Sequence, residues 1–256
     1  MIRKFITASV LFATVSAVAF NAVAAASSRG NTTNESYVEA KRTLEKKVYY
    51  DHRVTLYCEA TFDRRKNISL PSGFKTPSDE GRARRVEWEH VVPAENFGRE
   101  FLEWKYGSDA CFDGGEAFRG RSCAERSNRE FRLMHADMYN LFPSIGAVNK
   151  LRANYPYTEF DKNIRSTFGS CSMKIYRGKA EPPENARGEI ARAMLYMHWA
   201  YPERVKLKAK YLSLMEDWNA RYPVTSWECT RAKRIERLQG NANPFVKDPC
   251  ERLGRY

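Results

Sequence analysis

Acidic residues are in deficit in this chain: 31 Asp and Glu stand against 43 Lys and Arg, a formal net charge of +12. Histidine is scarcer still, with four in 256 residues. Several catalytic signatures are missing altogether. There is no Gly-rich phosphate loop, no HExxH zinc motif and no GxSxG elbow, which argues against P-loop, zinc-peptidase and α/β-hydrolase chemistry. No CxxC pair occurs, so a structural zinc site has little support. Beyond the N-terminal segment no stretch is long and apolar enough to span a bilayer. No repeat or low-complexity linker divides the chain, and "LPSGFKTPSDEGRA" (70–83) reads as a long surface loop rather than a domain boundary.

The one long apolar run, "FITASVLFATVSAVAF" (5–20), follows the basic start Met1-Ile2-Arg3-Lys4 and precedes small residues with Ala-x-Ala spacing. A membrane anchor is the alternative. However, Ala, Ser and Thr dilute the run and no basic stop-transfer cluster follows, which favours a cleaved export signal over residues 1–26. Residues 27–256 then form one domain of roughly 230 residues, enough for a sizeable core. Its destination is the periplasm or the exterior, and the mature chain is expected to be a soluble monomer with no membrane contact.

Export gives the six cysteines a meaning. In an oxidising compartment an even number reads as a disulfide framework. Six cysteines allow fifteen pairings, and the sequence selects none. A nearest-neighbour assignment joins Cys111 to Cys123 and Cys229 to Cys250, leaving Cys58 with Cys171. Each bridge is worth about 2–4 kcal/mol, chiefly by restricting the unfolded chain.

The basic surplus is spread over "DRRK" (63–66), "RARR" (82–85), "FRGRS" (118–122), "RVKLKAK" (204–210) and "RAKRIERL" (231–238). Such a distribution favours a polyanionic partner, nucleic acid first. A basic protein without such a partner is the alternative on charge alone.

Residues 34–52 have the spacing of an amphipathic helix, and 54–62 alternate as a strand would. "RVEWEHVVP" is β-rich and halted by Pro93, while Pro143-Ser144 reads as the start of a short helix over 143–152. Longer helices are expected over 183–201, 204–223 and 226–240, the last with Ser226 as cap and Glu228 in its first turn. Helix, a few strands, then helices is an α+β order, mainly helical and disulfide-stabilised.

Chemistry concentrates around Glu89-His90. A neutral imidazole can accept a proton from water, and a glutamate is a hard oxygen ligand for Mg²⁺ or Ca²⁺. Neighbours on a regular strand point to opposite faces, so a shared site requires the strand to end there. Taken alone, His90 reads more readily as a satisfied structural histidine. Asn140 and Asn149, nine residues apart in "MHADMYNLFPSIGAVNKLRANYPY" (134–157), offer neutral oxygen ligands as well.

Four ordered blocks change that reading: "EWEHVVPAENFG" (87–98), "DMYNLFPSIGAVN" (137–149), "YPVTSWEC" (222–229) and "QGNANPFV" (239–246). Together they resemble the bacterial endonuclease I family, exported and largely non-specific nucleases with a ββα-metal (His-Me finger) active site. The resemblance runs from about residue 36 to 251. It implies that His90 is the general base on the attacking water, that Glu89 and Asn149 hold Mg²⁺ (with Ca²⁺ or Mn²⁺ as substitutes), and that Arg121 supports the phosphate. Arg119 remains an alternative for the last role. It also implies that Asn140 shapes the turn, and that DNA, with RNA beside it, is cut to leave a 5′-phosphate. Two departures stand out. His135 in "MHAD" replaces an acidic residue, and Lys150-Leu151 follow Asn149 where Gly-Asp is common. His135 and His198 read as packing residues, and Asp137 is not assigned as a ligand. The rival from another class is a non-catalytic nucleic-acid-binding protein, which has no use for a base beside a metal ligand. A metallopeptidase lacks its histidine spacing.

Overall fold

The computed structural model describes residues 29–160 and 163–256. The apolar run at 5–20 and the Ala-x-Ala spacing, and with them the expected export signal, lie outside the described residues. Among those described, no helix is long and apolar enough to cross a membrane.

In chain order the elements are α1 (Tyr37–Thr43, continued by a π-helical stretch, Leu44–Val48), β1 (Thr61–Phe62), β2 (Ile68–Ser69), α2 (Glu80–Ala83) and β3 (Val86–His90). Next come α3 (Ala94–Gly98), α4 (Leu102–Tyr106), β4 (Phe112–Asp113), β5 (Glu116–Ala117), α5 (Arg121–Ser127) and α6 (Arg129–His135). A 3₁₀ turn (Met138–Asn140) then leads into β6 (Leu141–Ile145) and α7 (Gly146–Arg152). The last third holds β7 (Lys174–Tyr176), β8 (Lys179–Glu181), α8 (Glu184–Ala200), α9 (Ala209–Arg221), α10 (Ser226–Gln239) and α11 (Pro244–Arg252). Helices with small antiparallel strand pairs make this an α+β protein.

α8 is the helical centrepiece. It is buried on nearly every side from Ala186 to Met197, and two of its buried residues are arginines. Arg192 Nε and Nη2 donate to Glu228 of α10 at 2.6 Å each, with both side chains almost fully buried. Such a pair is costly to break, because either partner alone would be an uncompensated interior charge.

The strand pair β3–β6 aligns Trp88 with Pro143 and Glu89 with Phe142. Val91 N donates to Asn140 O, and Gly146 N to Arg85 O, so the odd-numbered residues of β3 occupy the hydrogen-bonded pairs. Trp88 and Pro143 are therefore a non-bonded pair, and the missing N–H of Pro143 interrupts no ladder bond. This corrects the expected helix start at Pro143-Ser144. Residues 143–145 are strand, and α7 begins at Gly146. A side chain is excluded at Gly146, since a Cβ would lie 2.7 Å from Arg82 O and 2.8 Å from Glu87 Oε1. The helix thus packs closely against α2 and the strand that carries Glu87.

Other boundaries also move. The strand expected over 54–62 is mostly a turn, because Thr55 Oγ1 accepts from Ala60 N and Thr55 N donates to Ala60 O, closing a loop in which Glu59 takes a positive φ of 49°. Only Thr61–Phe62 is strand. α10 is capped by Thr225, whose hydroxyl accepts from Glu228 N, rather than by Ser226. α9 begins at Ala209, later than the expected 204.

Three disulfides are present, Cys58–Cys171, Cys111–Cys123 and Cys229–Cys250, the same pairs as the nearest-neighbour assignment. The first spans 113 residues, and so restricts the unfolded chain most, by about 4–5 kcal/mol on the chain-entropy account. The second ties the residue just before β4 to α5, and the third ties α10 to α11.

Candidate active site

Alternation along β3 sends Glu87 and Glu89 to one face and Trp88 and His90 to the other. α7 covers the acidic face. Its residues Asn149 and Arg152, three apart and so on one helical side, meet the two glutamates in register. Asn149 Nδ2 donates to Glu87 Oε2 at 3.0 Å, and Arg152 Nη1 donates to Glu89 Oε1 at 2.8 Å. Arg82 forms a two-pronged ion pair with Glu87, at 2.7 and 2.5 Å.

Glu89 is 1 % exposed, and its Oε1 also accepts from Tyr57 Oη at 2.7 Å. Burial pushes its carboxyl pKa up, and the Arg152 charge opposes that rise. The same guanidinium donates to the carbonyls of His90 and Val91, at 2.8 and 2.7 Å. Arg152 therefore fixes both the glutamate and the backbone where β3 ends.

On the opposite face, His90 Nε2 lies 3.0 Å from His135 O. A carbonyl can only accept, so Nε2 carries the proton of the neutral ring and Nδ1 is left with its lone pair. Burial holds the His90 pKa well below its ordinary value, with repulsion from His135 as the next cause. The ring stacks on Tyr37 and lies parallel to His135, with centroids 5.0 and 4.7 Å away.

His135, read from sequence as packing, is 1 % exposed and part of this stack. Its Nδ1 is 2.8 Å from Glu125 Oε1. Burial lowers the His135 pKa against the pull of Glu125, so the contact is a hydrogen bond from a neutral ring. Glu125 of α5 thereby brings a carboxylate back beside the "MHAD" segment. Stability should reflect this. A histidine held neutral in the fold binds protons less readily than in the unfolded chain. Its contribution is complete above pH 6.5, its ordinary value, and is lost as pH falls below it. Unfolding free energies from denaturant titrations between neutral and mildly acidic pH should fall less steeply for His135→Gln, by up to about 1.4 kcal/mol per pH unit. Identical slopes would mean that His135 is not held neutral.

Both faces open on one cleft of about 780 Å³, whose lining includes Glu87, Glu89, His90, Arg121 and Asn149. Because His90 is the last residue of β3, its ring and the Glu89 carboxylate reach the same space despite leaving opposite faces. Arg121 is the exposed first residue of α5 and has no ion-pair partner among the described residues. Arg119 does not line the cleft. Asn140 lies outside it too. It is fully buried at the end of the 3₁₀ turn, with all of β6 between it and α7. Its Oδ1 accepts from Val92 N at 2.7 Å and its Nδ2 donates to Val92 O at 3.0 Å, pinning the segment that follows His90. Asp137 is likewise interior, held by Tyr196, Tyr201 and Gln239. His198 Nδ1 bonds Val205 O at 2.7 Å.

Among the described residues, no group of three or more His, Cys, Asp or Glu is placed to hold a metal ion. The expected donors are different in kind: one carboxylate and one amide. Glu87 can only accept, so Asn149 must turn its nitrogen there, leaving Oδ1 without a hydrogen-bond donor among the described residues. Oε2 of Glu89 is in the same condition, since both bonds to that carboxylate fall on Oε1. Two hard oxygens with spare lone pairs in one cleft suit a small divalent cation that keeps waters of its own.

Arg152, Tyr57 and Glu125 escaped the sequence reading. For Arg152 a signal existed, since it lies one helical turn beyond Asn149 on the same face. Tyr57 and Glu125 carry no comparable mark.

The chain matches the family model described as Endonuclease I over residues 20–250, and it belongs to that family. It is 37 % identical over 224 residues to a protein named extracellular deoxyribonuclease of Aeromonas hydrophila, covering 85 % of this chain and 91 % of that one. A periplasmic deoxyribonuclease of the same species is 37 % identical over 212 residues, with 80 % and 83 % covered. The protein named Endonuclease-1 of Buchnera aphidicola subsp. Baizongia pistaciae is 34 % identical over 218 residues, with 82 % and 83 % covered.

Proposed function

We propose that this protein is an exported, metal-dependent, non-specific endonuclease that hydrolyses phosphodiester bonds of DNA and RNA around a His-Me finger core. The observation that carries the reading is the meeting in one cleft of His90, with its lone pair on Nδ1, and the spare oxygens of Glu89 and Asn149. Family membership and the deoxyribonuclease names of its relatives point the same way. The route is export by a cleaved signal over residues 1–26, with residues 27–256 as a monomeric nuclease domain in the periplasm or outside the cell.

His90 Nδ1 takes a proton from a water placed in line with the phosphorus. The water oxygen forms the new P–O bond, the bond to the 3′-oxygen breaks as that oxygen takes up a proton from solvent, and the products are a 5′-phosphate and a 3′-hydroxyl. Nε2–H, held by His135 O, fixes the ring and its tautomer. Glu89 and Asn149 would hold Mg²⁺, with Ca²⁺ or Mn²⁺ as substitutes, and when bound the ion supplies positive charge to the phosphate oxygen and the departing 3′-oxygen. Arg121 donates to the phosphate as its negative charge grows, a class of contact worth a few kcal/mol in the transition state. These contacts engage the backbone that DNA and RNA share, so neither base sequence nor sugar is read.

Supercoiled plasmid should be nicked and linearised by the purified protein with Mg²⁺, and left intact in excess EDTA. Readdition of Mg²⁺ should restore cleavage. Undiminished cleavage in EDTA would contradict the metal-assisted mechanism, and binding without cleavage in Mg²⁺ would favour the non-catalytic rival.

A further inference from the structure

The cleft does not end at the catalytic residues. Glu45 lines it and also lines a second cavity of about 350 Å³, walled further by Lys46, Tyr50, Arg53 and Arg64. At this shared wall Glu45 is paired with Lys66 at 3.6 Å, and Lys66 itself faces the cleft. The one carboxylate of the second cavity is thus offset by a lysine. Lys46, Arg53 and Arg64 have no ion-pair partner among the described residues, and Arg53 Nε is buried with no hydrogen-bond partner among them.

Tyr50 adds an aromatic surface. It is 49 % exposed, and the Arg234 guanidinium lies 4.5 Å from its ring centroid. Arg234 in turn is anchored by Asp51 at 2.6 and 2.7 Å and by Val48 O at 2.6 Å. The ring is therefore held in place while half of the residue stays open to solvent. Unpaired cations beside a fixed, exposed aromatic ring are what a nucleic-acid strand uses: phosphates meet the cations and a base stacks on the ring.

We propose that this cavity is a second phosphate-binding site, continuous with the cleft, for the nucleotides that flank the cleaved bond. A strand with its scissile phosphate at His90 passes the Glu45–Lys66 pair. Arg53 and Arg64 take a flanking phosphate, and Tyr50 supports a base. The assignment rests on the nuclease reading for its substrate, but its test reads binding rather than cleavage.

The experiment measures the affinity of the full mature protein for fluorescein-labelled single-stranded DNA of about 16 nucleotides, by anisotropy in EDTA over a salt series. The variants are Arg53→Gln/Arg64→Gln and Tyr50→Ala, with melting temperatures recorded to show that each folds. A control, Arg177→Gln/Lys179→Gln, removes the same charge from the exposed β7–β8 turn. The arginine pair should weaken binding roughly tenfold and reduce the salt slope by about 1.4, as loss of two phosphate contacts on a single strand requires. Tyr50→Ala should weaken binding with the slope unchanged. Binding of a labelled dinucleotide, too short to leave the cleft, should not change. Unaltered affinity and slope for the arginine variant would overturn the proposal, and so would an equal loss in the control or with the dinucleotide. Protein that binds but never cuts would sink the nuclease reading while leaving these differences to be measured.

Discussion

His90→Ala is expected to cleave DNA about 10²–10⁴ times more slowly than the unaltered protein, the usual worth of a positioned general base. Its affinity for DNA in metal-free buffer should be unchanged. The substitution removes the nitrogen proposed to accept the proton of the attacking water but leaves Arg121, Lys41 and the other cations of the cleft in place. Comparison of single-turnover rates with anisotropy titrations separates the two effects. A variant that cut at nearly the unaltered rate would return His90 to the structural role that its burial and ring stacking could equally serve.

Arg152→Met should destabilise the fold by about 3–5 kcal/mol, the range found when one partner of a buried ion pair is removed. The side chains of Arg152 and Glu89 are only 1 % and 2 % exposed. Loss of the guanidinium leaves the Glu89 carboxylate with Tyr57 as its remaining hydrogen-bond donor, and frees the carbonyls of His90 and Val91. Cleavage should fall as well, because the end of β3 is no longer fixed. Adding Glu89→Gln to Arg152→Met should recover much of the stability, since the unpaired charge is gone, and none of the activity, since the proposed ligand is gone too. Urea denaturation and plasmid cleavage on the two single variants and the double check both halves. A small stability change in Arg152→Met would show that the pair does not carry the strand end.

What the sequence made legible was local or covalent. A strand in the segment halted by Pro93 and the helices of the last third follow from patterns a few residues long. Two of the disulfides join neighbours along the chain, 12 and 21 residues apart, and the third pairs the two cysteines left over. What it hid depends on partners far apart. Pro143 suggested a helix start because its tolerance in β6 depends on facing Trp88 in a non-bonded pair, a fact of register that belongs to two strands at once. The alternation at 54–62 was overridden by the Thr55–Ala60 loop and the positive φ of Glu59. Within the site, Glu89 and His90 were readable as a motif. The reason they can share a cleft was not, because it needs α7 on one face and His135 with Tyr37 on the other. Glu125, 36 residues after Glu89 in sequence, meets His135 only through the packing of α5 on α6.

The most direct measurement of the central claim, that Glu89 and Asn149 hold the divalent ion, is a paired one on the two asparagines. For Asn149→Ala and Asn140→Ala, the melting temperature is taken in metal-free buffer and the Mg²⁺ concentration for half-maximal plasmid cleavage is determined. Asn149→Ala removes an oxygen that no donor among the described residues engages, and one partly buried hydrogen bond to Glu87, which Arg82 still holds, so melting should stay close to the unaltered value while the Mg²⁺ requirement rises steeply. Asn140→Ala breaks two buried hydrogen bonds to Val92, so it should cost about 1–3 kcal/mol of stability and leave the Mg²⁺ requirement nearly unchanged. The reverse pattern, with the metal defect in Asn140→Ala and the stability defect in Asn149→Ala, would contradict the assignment.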